Sequence, residues 1–209
     1  MSMRSYNQFC GVARALDLVG ERWALLVVRE LVLGPKRFKD LREGLPGIAT
    51  NVLTQRLRQL EEAGVVSRRV LPPPAGSAIY ELTDHGRELV PILLSLGRWG
   101  AASLGTRSPA ESLLAEWVAV ALMAFFDPAA AGDLAATIRL DLGEAQFTVR
   151  VEGGQLEILH GPNGTADLTI AADPEVLIAS LAGAPVPLEV EGDQALLERL
   201  PALFPFGVA

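Results

Sequence analysis

Asn51, Thr54, Gln55 and Arg58 recur at the i, i+3, i+4, i+7 spacing that places side chains on one face of a helix. Amide side chains pair bidentately with adenine edges and guanidinium groups with guanine edges, so the set suits the reading of DNA bases in the major groove. Thr50 opens the same face, and no carboxylate follows until Glu61. Leu53, Leu57 and Leu60 repeat the spacing on another face, as a buried stripe requires. A polar stripe is also what an ordinary solvated helix carries, so the neighbouring elements must decide.

Those elements make a helix-turn-helix and a wing. Apolar residues at Leu16, Val19, Trp23, Leu26 and Val27 predict one helix over 12–33, stopped by Gly34-Pro35. A short helix is expected at 37–43 and the base-reading helix at 49–63, with Pro46-Gly47 in the turn between them. After Gly64 the pattern becomes that of a strand over 65–71, a loop Pro72-Pro73-Pro74-Ala75-Gly76-Ser77, and a returning strand over 78–82. Arg68 and Arg69 on this wing, with Lys36 and Arg37 ahead of the short helix, are candidate phosphate contacts. Thr83 is expected to cap a helix running to about Leu104, which Pro91 should kink or break. Its apolar residues cover more circumference than one core needs, which predicts a homodimer through paired terminal helices on a palindromic operator.

A net charge of -7, taken over the whole chain, opposes nucleic-acid binding. The charge is divided, however. Residues 1–100 hold 14 Lys and Arg against 10 Asp and Glu, a net of +4, and residues 101–209 hold 4 against 15, a net of -11. A basic DNA-binding module joined to an acidic module of another kind has this pattern.

The motifs Cys10-Gly-Val-Ala-Arg-Ala-Leu-Asp-Leu-Val-Gly-Glu-Arg-Trp23, Leu33-Gly-Pro-Lys-Arg-Phe38, Leu45-Pro-Gly-Ile48, Leu53-Thr-Gln-Arg-Leu57, Leu60-Glu-Glu-Ala-Gly64 and Tyr80-Glu-Leu-Thr-Asp-His-Gly86 resemble the HxlR-type winged-helix transcription regulators over roughly residues 8–100. The resemblance implies a homodimer on double-stranded operator DNA, with the helix at 49–63 in the major groove. It also implies repression as the sign of control.

Ser108-Pro-Ala-Glu111 reads as a capping box opening a helix through Trp117 and Phe126. From Thr137 onward the period is two, with a Gly153-Gly154 hairpin turn and helices expected after Asp173-Pro174 and Gly192-Asp193. The expected fold class is α+β, with a winged helix-turn-helix and dimerisation domain over 1–105. An antiparallel sheet with helices on one face follows over 106–209. The order of elements, the Val-Glu-Gly-Gly hairpin and the Ala-Asp-Leu-Thr-Ile-Ala-Ala-Asp-Pro run resemble a sterol-carrier-protein-like domain over about 110–205. That resemblance implies a tunnel for an apolar small molecule. Trp117, Phe125, Phe126 and Phe147 are candidate linings, although aromatic residues at such spacing are more often plain core.

Little in the chain suits catalysis. His160 lies beside Gly161-Pro162, His85 stands at a helix start, and no Gly-x-Ser-x-Gly elbow or phosphate-binding glycine fingerprint is present. No enzyme activity, cofactor or metal is expected. One cysteine, Cys10, forms no intrachain disulfide, and with two histidines it makes no metal-ligand cluster of the usual kind. Cys10 near a helix start is a candidate redox sensor, though a buried cysteine acting as a small hydrophobe is the commoner case. Some HxlR-type regulators sense electrophiles or oxidants through a cysteine near this position. With neither a signal peptide nor a membrane-spanning apolar run, the expected location is cytoplasmic. Alternatives to a ligand-responsive regulator are a lipid carrier whose first half only dimerises, a redox-sensing regulator, and a protein-interaction module in the acidic half.

Overall fold

The computed structural model describes residues 5–73 and 76–206, and the chain forms two compact units that part between Leu93 and Leu94. In the first unit, α1 (Gly11–Val19) and α2 (Ala24–Glu30) occupy the stretch expected to be one helix. The interruption is local. Gly20 closes α1 with its N–H on Leu16 O, and Trp23 takes a left-handed conformation (φ 79°) that turns the chain into α2. Helical apolar spacing continues across the corner, so periodicity alone hides it.

A two-residue strand, β1 (Lys36–Arg37), leads into α3 (Phe38–Glu43). A turn with Gly47 at φ 83° then delivers α4 (Thr50–Glu62). Leu53, Leu57 and Leu60 of α4 are fully buried against Val27, Val28, Leu41 and Leu45, so the leucine stripe fixes which face of α4 is left outside. The wing is β2 (Val66–Val70) and β3 (Ala78–Leu82), and β1 pairs with the far side of β3 to give the order β1-β3-β2. Pro74 and Ala75, in the expected loop, lie outside the described residues.

Thr83 caps as expected, its Oγ1 accepting from Gly86 N at 2.9 Å and donating to Gly64 O at 2.6 Å. The helix it opens, α5 (Asp84–Arg87), is one turn long, and α6 (Val90–Ala101) begins afresh. Pro91 has no N–H to continue α5, but proline is tolerated in the first turn of a new helix. Gly86 packs so closely beneath Val65 that a Cβ there would collide with Val65 O.

In the second unit the Ser108 box forms its bonds, with Ser108 N donating to the Glu111 carboxylate at 2.7 Å, yet no helix grows from it. Residues 108–112 are exposed, and a single turn without an apolar face to bury does not propagate. The helix α7 (Ala115–Phe125) begins later, followed by the short α8 (Pro128–Ala131) capped by Asp127. Strands β4 (Ala136–Leu142), β5 (Ala145–Glu152), β6 (Gln155–His160) and β7 (Leu168–Ala171) precede α9 (Pro174–Leu181). Strand β8 (Glu189–Gly192) and α10 (Gln194–Leu203) complete the unit.

The sheet order is β6-β5-β4-β7-β8. It departs from the expected antiparallel sheet in one pairing, since β4 and β7 run parallel, in register Ile138 with Leu168 and Leu140 with Ile170. Hydrophobic alternation gives the buried face of a strand but not the direction of its neighbour. Ile138, Leu140, Phe147, Val149, Leu168 and Ile170 form the buried face, on which α7 and α10 pack. Thr148 on the opposite face donates to Gly161 O at 2.7 Å and accepts from Asn163 N at 2.9 Å, holding the loop after β6 against that side.

Candidate nucleic-acid interface

Burial of its leucines leaves α4 presenting Thr50, Asn51, Thr54, Gln55 and Arg58, all exposed. The Thr54 hydroxyl donates back to Thr50 O at 2.9 Å, which occupies its proton and leaves its lone pairs outward. Arg58 Nε meets Glu62 Oε1 at 2.9 Å, one helical turn on, while both side chains remain more than half exposed. Exposed pairs of this kind are worth about 0–1 kcal/mol, so the guanidinium can be drawn away by a better acceptor.

The four candidate phosphate residues divide in two. In the three-stranded sheet Lys36 and Arg68 both pair with Tyr80, and Arg37 and Arg69 both pair with Ile79. Successive residues of a strand point to opposite faces, so Arg68 and Arg69 do not address the same surface. Arg68 and Arg37 are exposed and enter no ion pair among the described residues, the backbone N–H of Arg37 donating to Asp40 at 3.0 Å. Arg69 is held to Glu81 at 2.8 Å. Lys36 is largely buried, its ammonium 2.8 Å from Glu30.

Sequence reasoning missed three parts of this region. Glu30 has a side chain only 1% exposed and binds Arg29 and Lys36, each at 2.8 Å, and Arg29 also donates to Gly44 O. The network joins α2, β1 and the end of α3, and burial pulls the Arg29 guanidinium below its ordinary pKa while Glu30 opposes that shift. Arg56 lies on the buried side of α4 and reaches Gln59 and, at 3.4 Å, Glu21. Lys39 and Arg42 are exposed cations on α3, the first helix of the helix-turn-helix. Their i, i+3 spacing was the available signal.

In the second unit an open groove of about 450 Å³ lies among α9, β8 and α10, lined by residues that include Leu177, Leu181, Val186, Leu188, Val190 and Leu197. None of the four expected aromatic linings contributes to it. Phe147 is fully buried against His160, Phe125 stacks on Phe206 with ring centres 4.7 Å apart, and Phe126 meets Phe204. Trp117 lies half-buried on α7. Of these rings Phe147 fills the interior, whereas Phe125, Phe126 and Trp117 are half-buried. The groove is instead walled by aliphatic residues late in the chain, whose Ala184-Pro185-Val186-Pro187 segment breaks the periodicity that would have marked them.

Cys10 stands exposed at the N-cap of α1. The backbone N–H groups of Ala13 and Val12 at the start of α1 favour the thiolate and hold the thiol below its ordinary pKa. Among the described residues no group of three His, Cys, Asp or Glu is placed to hold a metal ion, and no helix is long and apolar enough to cross a membrane.

A helix-turn-helix with a flanking wing, an exposed polar face on its second helix and exposed cations beside it define a winged-helix DNA-binding fold. Residues 18–108 match the HxlR-like helix-turn-helix family and residues 126–205 match the SCP-2 sterol transfer family. An HTH-type transcriptional regulator of Synechocystis is 40% identical over 108 residues, covering 52% of this chain and 80% of that protein. The regulator YodB of Bacillus subtilis is 39% identical over 85 residues, covering 41% of this chain and 76% of its own length. The solved reduced form of YodB aligns with a TM-score of 0.42 at 33% identity, over 48% of this chain and all of that one. The chain belongs to the HxlR-like helix-turn-helix family of transcription regulators and carries an SCP-2-like second domain.

Proposed function

We propose that the protein is a homodimeric repressor that binds a palindromic operator through α4 and responds to an apolar small molecule held by its second domain. The observation that carries the DNA reading is the face of α4, where Asn51, Gln55 and Arg58 stand exposed directly opposite fully buried leucines. In this reading Thr50, Asn51, Thr54, Gln55 and Arg58 face base edges. Arg37 and Arg68 supply phosphate contacts at once, whereas Arg69 and Lys36 must first leave Glu81 and Glu30. Dimerisation is supported by apolar side chains left uncovered on α6, Ile92 at 63% and Trp99 at 77% exposure. Residues 1–105 would then be the DNA-binding and dimerisation domain and 106–209 the sensing domain. The groove, lined mostly by aliphatic side chains, supports the sensing role.

The test is a gel shift on the DNA flanking the protein's own gene, repeated with added hydrophobic compounds. A retarded band that weakens with compound is expected, and no shift on any flanking fragment overturns the operator reading. Arg69→Ala should weaken binding to all sequences about equally and flatten the salt dependence by roughly one phosphate contact. Titrations at several salt concentrations check this, and an unchanged slope removes Arg69 from the phosphate set.

A second reading, redox control, is favoured by Cys10 itself, which is exposed and has a thiol pKa lowered by the end of α1. At neutral pH a lowered thiol pKa means more thiolate, so Cys10 should be alkylated by iodoacetamide faster than a free thiol in solution. If its rate merely equals that of free cysteine and oxidant leaves DNA affinity unchanged, redox control is refuted.

A further inference from the structure

We infer that the groove among α9, β8 and α10 selects an apolar amine in its protonated form, an inference that rests on the small-molecule reading above. Most lining side chains are aliphatic, Leu177, Leu181, Leu188 and Leu197 among them, yet the surface they leave open is more polar than apolar, and among the described residues the polar side chains lining it are Ser180 and Gln194. A volume of about 450 Å³ lies in the range usual for small-molecule sites. Among the described residues no Lys, Arg or His lines it.

Among the described residues the arginines of this unit are all engaged away from the groove lining. Arg107 binds Glu175 and Arg150 binds Glu157, whereas Arg98, Arg139 and Arg199 donate to the backbone carbonyls of Ala124, Gly164 and Ala131. A carboxylate or phosphate end would therefore enter the groove without a counter-charge, in a half of the chain whose net charge is -11. Both desolvation and the surrounding field oppose that.

A donor end meets the opposite situation. Pro201 lies inside α10 and has no N–H, so the helical bond that would close on Leu197 O is missing beside the wall that Leu197 and Pro201 form. The Ser180 hydroxyl and the Gln194 amide oxygen are further acceptors. Glu198 is exposed, follows Leu197 directly and lies one helical turn from Gln194, which puts a carboxylate at the edge of the lining face. An alkylammonium satisfies these acceptors and gains from the negative field.

The experiment titrates the full chain calorimetrically with decylamine, decanol and decanoate at low ionic strength, each below the concentration at which it self-associates. Decylamine should bind about tenfold or more tightly than decanoate, with decanol between them, and the gap should narrow as salt is raised. Glu198→Gln should cost decylamine a few-fold in affinity and leave decanol unchanged. Ser180→Trp or Val186→Trp, whichever keeps the native circular dichroism, should abolish binding by filling the groove. Decanoate binding as tightly as decylamine overturns the amine preference and leaves the apolar-ligand reading standing. Decylamine binding that survives the groove-filling variant overturns the placement. Failure of all three probes to bind overturns both this inference and the ligand reading beneath it.

Discussion

Arg58→Ala is expected to weaken operator binding by roughly 5- to 150-fold, the equivalent of about 1–3 kcal/mol, and to relax selection at one position of each half-site. The magnitude follows from what the guanidinium exchanges. In the free protein its Nε meets Glu62 at 2.9 Å at the surface, a pair too solvated to hold it. On DNA its fork can accept the geometry of a guanine edge, where two parallel charge-assisted bonds form away from bulk water. Arg58→Lys separates base reading from simple charge. Lysine keeps the phosphate attraction but loses the planar fork, so it should keep the salt slope and still lose selectivity. Quantitative footprinting of single-base operator variants decides the matter. Equal discrimination by wild type and Arg58→Ala at every position would remove Arg58 from the base-reading set.

The part of the interface that was legible in the sequence is the part governed by period. Leu53, Leu57 and Leu60 had to be buried together, so Asn51, Gln55 and Arg58 had to be exposed, and the structure places them so. Turn chemistry was legible as well. Thr83 caps, Gly153-Gly154 turns β5 into β6 with both residues at positive φ, and Asp173-Pro174 opens α9. What was not legible depended on partners distant in sequence. Lys36 looks like a free cation in a Lys-Arg pair, and only the approach of α2 to β1 turns it into the counter-ion of Glu30. The corner at Trp23 keeps helical spacing and so leaves no break in the pattern. In the second domain the strongest apolar signals, the phenylalanines, pack into the core at Phe147 or against Phe204 and Phe206 at its margin, and the groove is lined mostly by ordinary aliphatic residues whose meeting requires the parallel β4–β7 pairing and the return of α10.

Glu30→Ala should have the largest effect on stability, about 3–5 kcal/mol, because it leaves two cations in a partly dry site without their shared partner. For a domain of about 100 residues whose whole stability is of order 5–15 kcal/mol, that corresponds to a fall in melting temperature of roughly 12 °C or more. The cost falls on the DNA-binding frame. The carboxylate ties α2 to β1 through Lys36, and Arg29 carries the tie on to Gly44 O at the end of α3, where a Cβ on Gly44 would collide with Glu30. Loss of these bonds frees the turn that aims α4, so operator affinity should fall even where the variant remains folded. Lys36→Met separates the two roles that this lysine could hold. If its ammonium serves Glu30, the variant loses stability but keeps the wild-type salt slope of DNA binding. If it serves phosphate, the slope drops by about one contact while the melting temperature stays nearly unchanged. The 2.8 Å pairing with a buried carboxylate predicts the first result. A thermal melt and a salt titration on the same preparation are enough to refute it.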